Sequence, residues 1–248
     1  METKRNNETI CNRSIMNLII TPVYRAYKYV KLCCDAIDKN TYHPYLHILV
    51  DDDSALDEPF PVQASEKRRI LMMKRDYSGV DHKTGEGQAI QLGYDWANYP
   101  IFNGQTALLP YNHTFMVESD VVVQKDWDRK MIDLIPTLPD DWLTLDVQSV
   151  SEKGDLVHPT TNWGSKLGEV RDDLEITIYP DFQTTLFNQK IFDMGMSFAS
   201  LVDPCDSYFG RAVSQLIGGH HYRTKLISAY HYISQSIRFI ENISSNVV

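Results

Sequence analysis

The chain has 248 residues, of which 43% are hydrophobic and 23% are charged, and this balance excludes a disordered chain or a fibrous repeat. The formal net charge is −9, from 24 basic and 33 acidic residues, so we do not expect binding to nucleic acid through its phosphate backbone. A length of 248 residues is long for one ordinary domain and short for two, which predicts a single α/β domain with insertions.

Cysteine usage and hydropathy predict a soluble protein of a reducing compartment. The four cysteines include the adjacent pair Cys33 and Cys34 and have no C-x-x-C spacing, so neither a disulfide framework nor a zinc knuckle is indicated. No apolar run approaches the roughly 18 residues of a membrane span, and no signal peptide is recognisable. We therefore expect a cytoplasmic protein without a transmembrane segment, with a flexible N-terminal extension over residues 1–15.

The first half of the chain alternates short apolar runs with amphipathic stripes. The runs predict strands and the stripes predict helices, and each strand–helix–strand unit has the length of a parallel pair with a right-handed crossover. The predicted strands are 16–20, 46–50, 69–73 and 113–117, and the predicted helices cover 30–37, 90–97 and 127–135. This half therefore predicts an α/β fold with a doubly wound, mostly parallel sheet and helices on both faces.

The second half has a less regular pattern. The polar, glycine-containing stretch 151–175 has the composition of a long active-site loop. Gly218 and Gly219 end a helical stripe, and the two histidines that follow them, His220 and His221, predict a turn. The other elements expected here are strands at 142–147, 184–188 and 224–233 and helices at 209–217 and 235–243.

Acidic and aromatic residues follow three of the predicted parallel strands: residues 21–25, 51–54 and 118–120. In an open parallel sheet, ligands bind beyond the carboxyl ends of the strands. Any one acidic group there could cap the helix that follows it. Three consecutive carboxylates at 51–53 repel one another, however, and a cap needs only one of them. The surplus predicts a bound nucleotide or cation.

The sequence contains no glycine-rich phosphate loop of the dinucleotide or P-loop type. A divalent cation held by carboxylates is the usual substitute for the backbone amides of such a loop, and residues 118–120 offer hard oxygen ligands. This combination points to a sugar nucleotide.

Three segments resemble the motifs of the inverting family 2 glycosyltransferases of GT-A fold. MNLIITPVYRAYKYV is similar to the family's opening strand, proline–aromatic loop and helix. HILVDDDSALD resembles its hydrophobic-Asp-Asp-Gly-Ser-x-x-Asp signature, with Asp53 at the usual glycine, and FMVESDVVV resembles its D-x-D strand, with Glu118 at the first Asp. The resemblance runs from 16 to 135 and more weakly to 236. It implies one GT-A domain over 16–248, with a nucleotide-sugar half (16–135) and an acceptor half (136–248).

The resemblance implies that the nucleotide base lies against Pro22 and Tyr24 and that Asp52 accepts a hydrogen bond from the base edge. A tyrosine ring offers a flat apolar face, and a carboxylate pairs with a ring N–H such as that of uracil. The alternative for Tyr24 is simple packing under the following helix.

Three further residues are implied on the phosphate and ribose side. Arg25 stands at the family's usual asparagine and either reaches a phosphate or faces solvent. Lys83 is the implied phosphate contact of the segment SGVDHKTGEGQA, and a solvated loop lysine is the alternative. Glu118 corresponds to the acid that faces the ribose.

The resemblance also implies a divalent cation, Mn²⁺ or Mg²⁺, bound by Asp120. His231 is similar to the family's late histidine, which lies near the metal and the diphosphate. The competing interpretation of His231 is a histidine that simply points outward from a strand.

The implied general base lies in the segment DPCDS, just before a helix with Arg211 and Gly218. Asp206 is the first candidate for this general base, and Asp203 is the second. The alternative interpretation of Asp206 is that it caps the N-terminus of the same helix.

Together these residues predict a metal-assisted glycosyltransferase of glycan biosynthesis. It would transfer a sugar from a nucleoside diphosphate sugar, with a UDP-sugar favoured, to a glycan or lipid-linked acceptor hydroxyl with inversion. The alternative is a catalytically inactive GT-A module that only binds the nucleotide sugar, which Glu118 and the separated acids Asp203 and Asp206 favour.

Overall fold

The structure of the chain is a computed structural model that describes residues 16–24, 27–52, 59–73, 85–99, 111–151, 166–198 and 205–232. Its strands are β1 (Asn17–Val23), β2 (Tyr45–Asp52), β3 (Arg68–Met73), β4 (His113–Val117), β5 (Val121–Val123), β6 (Trp142–Val150), β7 (Lys166–Arg171), β8 (Leu174–Thr177), β9 (Thr184–Phe187) and β10 (His220–His231). Its helices are α1 (Tyr27–Asn40), α2 (Gly85–Asn98), α3 (Trp127–Leu134), α4 (Gln189–Asp193) and α5 (Cys205–Ile217), with a 3₁₀ turn at Ile135–Thr137.

All ten strands belong to one sheet of order β3-β2-β1-β4-β9-β6-β10-β8-β7, and β5 pairs with β10. The first four strands of this order are parallel to one another. Helices cover both faces here: Leu49 of β2 packs in the cluster of α1, whereas Ile48 and Val50 pack in that of α2. Successive strand residues point to opposite faces, so the apolar run of β2 serves both helices.

Close contact between α2 and the sheet depends on Gly93. A Cβ atom there would lie 2.9 Å from Ile20 Cγ2 and 3.2 Å from Val50 Cγ2. The glycine therefore allows the helix to approach β1 and β2, whose ends carry the polar residues predicted to bind a ligand.

The prediction of a mostly parallel sheet is wrong for the second half of the chain. Of the nine pairings among described residues, four are parallel and five are antiparallel. Parallel neighbours need a long crossover connection. The connections from β7 to β8 and from β8 to β9 are too short for such a crossover. In addition, β9 lies between β4 and β6 and is antiparallel to both.

Two local predictions also need correction. Residues 166–175 of the expected loop form the hairpin of β7 and β8 at the sheet edge. An edge strand exposes much of its surface, so its polar composition is similar to that of a loop. His220 and His221 belong to β10, because Gly218 and Gly219, with φ of 77° and 119°, complete the turn before them.

Several predictions fall outside the described residues: the extension 1–15, the loop portion 152–165 and the last helix 235–243. None of the helices that the structure describes is both long and apolar enough to span a bilayer.

Candidate functional site

Glu118, Asp120 and His231 meet at the carboxyl edge of the parallel strands. His231 Nε2 lies 3.1 Å from Glu118 Oε2 and 3.3 Å from Asp120 Oδ1. One ligand atom from each of the three residues lies within 4.8 Å of the other two. We call these three residues the acidic triad.

Backbone hydrogen bonds hold the triad in place. Residues 118–120 form the turn between β4 and β5, closed by the Val121 N–H, which donates to the Glu118 carbonyl at 3.1 Å. β10 runs antiparallel to β5 with His231 opposite Val121, and the Tyr232 N–H donates to the Asp120 carbonyl at 3.0 Å. The triad is thus built from two segments that are distant in sequence.

Burial disfavours the charged form of His231, but the carboxylates of Asp120 and Glu118 beside it raise its pKa to about 10. Burial also raises the pKa of Glu118, and the neighbouring His231 opposes that rise. The pocket therefore favours a positive charge between the two acids. Two carboxylates and an imidazole form a ligand set that suits Mn²⁺ and similar divalent ions, and such an ion would displace the imidazole proton.

The predicted base-binding residues lie at the adjacent strand ends. Pro22 is in β1, Tyr24 follows β1 directly, and Asp52 is the last residue of β2. Val23 pairs with Asp51, so Tyr24 and Asp52 are the next residues along the two paired strands. Tyr24 is half-buried and Asp52 is buried.

One of the three consecutive acids has an internal role. The Tyr27 hydroxyl donates to Asp51 Oδ2 at 3.1 Å, and Asp51 is fully buried in β2. The hydrogen bond to Tyr27 accounts for part of the surplus of carboxylates that the sequence presents. Asp52 is left as the acid that ends the strand, and Asp53 lies outside the described residues.

Asp206 lies in the first turn of α5 and is half-buried. The helix begins at Cys205, so Asp206 is inside the helix and is not its N-cap. Its Oδ1 accepts a hydrogen bond from the Ser207 backbone N–H at 2.6 Å. Asp206 is not one of the acidic triad. The other predicted residues, Arg25, Lys83 and Asp203, lie outside the described residues.

A buried charged cluster beside the triad was missed by the sequence interpretation. Arg223 Nη2 of β10 lies 2.9 Å from Asp181 Oδ2. Asp146 Oδ2 of β6 accepts from the Asp181 backbone N–H at 3.3 Å, and its Oδ1 accepts from the Thr185 hydroxyl. Burial and the charge of Asp181 raise the pKa of Asp146 to about 8. The available signal was Asp146 itself, a carboxylate within the apolar run WLTLDV.

No protein-family model and no curated protein matches the chain. Solved structures of S. aureus TarS, a GT-A glycosyltransferase, do resemble it. The 1–349 fragment superposes with a TM-score of 0.56 at 12% identity, over 92% of this chain and 64% of the fragment. The fragment in complex with UDP-GlcNAc gives 0.57 at 11% identity, over 90% and 61%.

The fragment in complex with UDP gives a TM-score of 0.58 at 12% identity, over 87% of this chain and 60% of the fragment. The chain thus spans about three fifths of the length of the TarS fragment, with values between 60% and 64%. At this identity the likeness establishes the fold alone: the chain shares the mixed α/β fold of the TarS fragment.

Proposed function

We propose that the chain is a metal-assisted, inverting glycosyltransferase. It transfers a sugar from a nucleoside diphosphate sugar, preferentially a UDP-sugar, to a hydroxyl of a glycan or lipid-linked acceptor. The observation that carries the proposal is the acidic triad at the carboxyl edge of a GT-A sheet, next to the polar ends of β1 and β2. The TarS complexes with UDP-GlcNAc and UDP support a uridine nucleotide.

The donor lies across the edge of the sheet in this proposal. The base packs on Pro22 and the ring of Tyr24, and Asp52 accepts a hydrogen bond from its edge. Arg25 and Lys83 contact the phosphates. Glu118 faces the ribose side of the triad. Residues 16–135 supply these base, ribose and phosphate contacts, and residues 136–248, which also include His231, supply the acceptor half.

Asp120 and His231, with Glu118 beside them, would hold Mn²⁺ or Mg²⁺. When bound, the ion neutralises the diphosphate leaving group as a Lewis acid. Asp206 takes the proton of the acceptor hydroxyl so that the oxygen can attack the anomeric carbon. Asp203 is the rival base. The buried free thiols of Cys33 and Cys34 suit a reaction in the cytoplasm.

A thermal-shift panel tests the donor side. UDP, GDP, CDP and dTDP are each compared with and without Mn²⁺. A ligand at 100 times its Kd adds about 2.7 kcal/mol to the free energy of unfolding. We expect UDP to stabilise the protein strongly only when Mn²⁺ is present. Stabilisation by no nucleotide under either condition would contradict the proposal.

The acceptor side is tested by Asp206→Asn and Asp203→Asn. Asn cannot accept the proton, so loss of the general base should lower turnover of a labelled UDP-sugar by about 10²-fold or more without loss of donor binding. We expect this loss at Asp206. Loss at Asp203 with full activity at Asp206 would transfer the role to Asp203.

The second candidate is a GT-A module that binds the nucleotide sugar without catalysis. Glu118 in place of aspartate and the separation of Asp203 from Asp206 favour it. Nucleotide binding without turnover of any donor, in the presence of a broad set of acceptors, would support this second candidate.

A further inference from the structure

The loop that precedes β9 lies beside the acidic triad. Thr184 of β9 pairs with Val117, the last residue of β4, and the Glu118 N–H donates to the Gln183 carbonyl at 3.0 Å. The charges of Glu118 and His231 act on the carboxyl group of Asp181, two residues before Gln183. Asp181 therefore belongs to the same edge of the sheet as the triad.

The order of the strands places Asp181 in line with the residues proposed to bind the nucleotide. From β2 through β1 and β4 to β9, the edge carries Asp52, Tyr24, Glu118 and Asp181 in that spatial order. Three strand spacings separate the first from the last, about 14 Å. A nucleotide sugar has the order base, ribose, diphosphate and sugar. With the base at β2 and β1 and the diphosphate at β4, the sugar reaches β9.

Asp181 is the charged carboxylate of the buried cluster. Arg223 is buried and pairs with Asp181, whose side chain is 7% exposed. Asp146 has internal partners at both of its oxygens, Thr185 and the Asp181 N–H. Burial and the charge of Asp181 raise the pKa of Asp146 to about 8, so Asp146 is mostly protonated at neutral pH and Asp181 is the acid that neutralises Arg223. Of the two acids, Asp181 is therefore the one that offers a charged acceptor beside the triad.

Packing of Phe182 holds the segment before β9 in a strained conformation. Phe182 has φ of 57°, a left-handed conformation that is unusual for a bulky residue. Its buried ring packs 5.6–6.1 Å from the rings of Phe187, Phe198 and Phe209. Such strain persists where surrounding contacts enforce it, and it concentrates at ligand sites. The packing of Phe182 fixes the backbone on which Asp181 and Gln183 sit.

We infer that Asp181 is a sugar-binding residue of the donor site, which accepts a hydrogen bond from a hydroxyl of the transferred sugar while Arg223 fixes its carboxylate. A charged carboxylate is a strong acceptor for hydroxyl donors, and the ion pair orients it. This inference rests on the proposed function. It adds a contact that discriminates UDP-sugar from UDP.

The test compares the Kd values of UDP and of a UDP-sugar, measured by calorimetry with Mn²⁺. The wild-type protein is first titrated with UDP-glucose, UDP-galactose, UDP-GlcNAc and UDP-GalNAc, and the tightest donor is used. Asp181→Asn should weaken binding of that donor about tenfold or more and leave binding of UDP unchanged. The variant removes the Asp181 charge, which is one cause of the raised pKa of Asp146, so Asp146 can ionise as the counter-ion of Arg223 and we expect the variant to fold.

Asp146→Asn is the matched control, because it changes a carboxylate of the same cluster whose partners are all internal. It should leave both Kd values unchanged. Asp181→Glu keeps the charge beside Arg223 and moves the carboxylate by one methylene, so it should lose the same selectivity. If Asp181→Asn does not fold, by circular dichroism, Asp181→Glu carries the test.

Three outcomes overturn the inference. Equal weakening of UDP and the UDP-sugar in the variant would show that Asp181 acts through the triad. Unchanged Kd values for both ligands in a folded variant would remove Asp181 from the site. A wild-type protein that binds neither ligand with Mn²⁺ would overturn the proposed function as well, and only this outcome is seen without any mutation.

Discussion

Two buried arginines in the sheet have different surroundings. Arg68 begins β3 and is 10% exposed, and its partner Asp38 is 49% exposed at the protein surface. Arg223 lies in β10 and is 5% exposed, and its partner Asp181 is 7% exposed. The Asp38 side of the first ion pair is exposed to water, so the net contribution of this pair to the free energy of unfolding is small. The second ion pair, between Arg223 and Asp181, lies beside the acidic triad and away from water. Removal of either partner would leave a buried charge uncompensated. Arg68 thus joins β3 to α1, whereas Arg223 holds the carboxylate of Asp181.

Replacement of the two arginines should give the largest difference between the regions. Arg223→Gln leaves Asp146 and Asp181 without their cation, and we expect a loss of about 3–5 kcal/mol in the free energy of unfolding. Arg68→Gln loses hydrogen bonds to Asp38 and the Cys34 carbonyl and should cost about 1–2 kcal/mol. Urea unfolding measures both values. Equal losses would mean that the two ion pairs do not differ as described.

Asp120→Asn should affect ligand binding and leave the fold intact, unlike Arg223→Gln. An uncharged amide is a poorer ligand for a hard cation. We expect Mn²⁺-dependent UDP affinity to fall by on the order of a hundredfold. Asp133→Asn, at an exposed position on α3, is the control. Calorimetry that gives the same Mn²⁺-dependent affinity for the Asp120 variant and the parent would remove Asp120 from the site.

Gly210→Ala tests whether close packing against α5 stabilises the segment that precedes Asp181. A Cβ atom at 210 would lie 2.5 Å from Tyr179 Cβ and 2.6 Å from Pro180 Cδ. We expect a loss of about 1–3 kcal/mol in thermal or urea unfolding, because α5 and the loop must separate. Gly168→Ala is the control, since nothing lies within 4 Å of a Cβ atom there. A Gly210 variant as stable as the control would show that the loop has room to move.

The two regions should respond to pH with opposite signs. Burial and the nearby Arg68 lower the pKa of His47 to about 3, below its ordinary 6.5, so its contribution to stability is lost as pH falls from about 6.5 to about 3. Burial and Asp181 raise the pKa of Asp146 to about 8, above 3.8, so stability falls as pH rises between those values. Urea unfolding against pH checks this: His47→Gln should remove the rise of stability with pH between about 3 and 6.5, and Asp146→Asn the fall with pH between about 3.8 and 8. A profile that neither variant changes would contradict both assignments.

The parallel half of the sheet could be predicted from the sequence because its signals are local. Strand, helix and strand follow one another at short intervals, and the polar residues at the strand ends mark one edge. The structure brings Glu118, Asp120 and His231 together as the resemblance to GT-A enzymes implies, and their roles stay predictions. The positions of Pro22, Tyr24 and Asp52 at adjacent strand ends also follow from local patterns.

The second half could not be predicted in the same way. Leu143, Leu145 and Val147 alternate with Thr144 and Asp146, a pattern typical of a strand with one solvated face. Both faces of β6 are buried, so Asp146 lies inside the protein and not at its surface. The proximity of Asp181 to the triad arises from the insertion of β9 between β4 and β6, a long-range pairing with no local signal.

The short ladder between β5 and β10 makes the complete triad depend on the docking of β10. Asp120 and His231 are more than a hundred residues apart, and three residue pairs bring them together. Closing so long a loop is entropically costly, and contacts of this sequence separation form slowly. A nascent chain that still lacks β10, or an intermediate in which β10 is undocked, has the strand ends of the first half but no complete triad. Affinity for a ligand held by all three residues therefore arises only when the last described strand has joined the sheet, and no earlier form of the chain competes for that ligand.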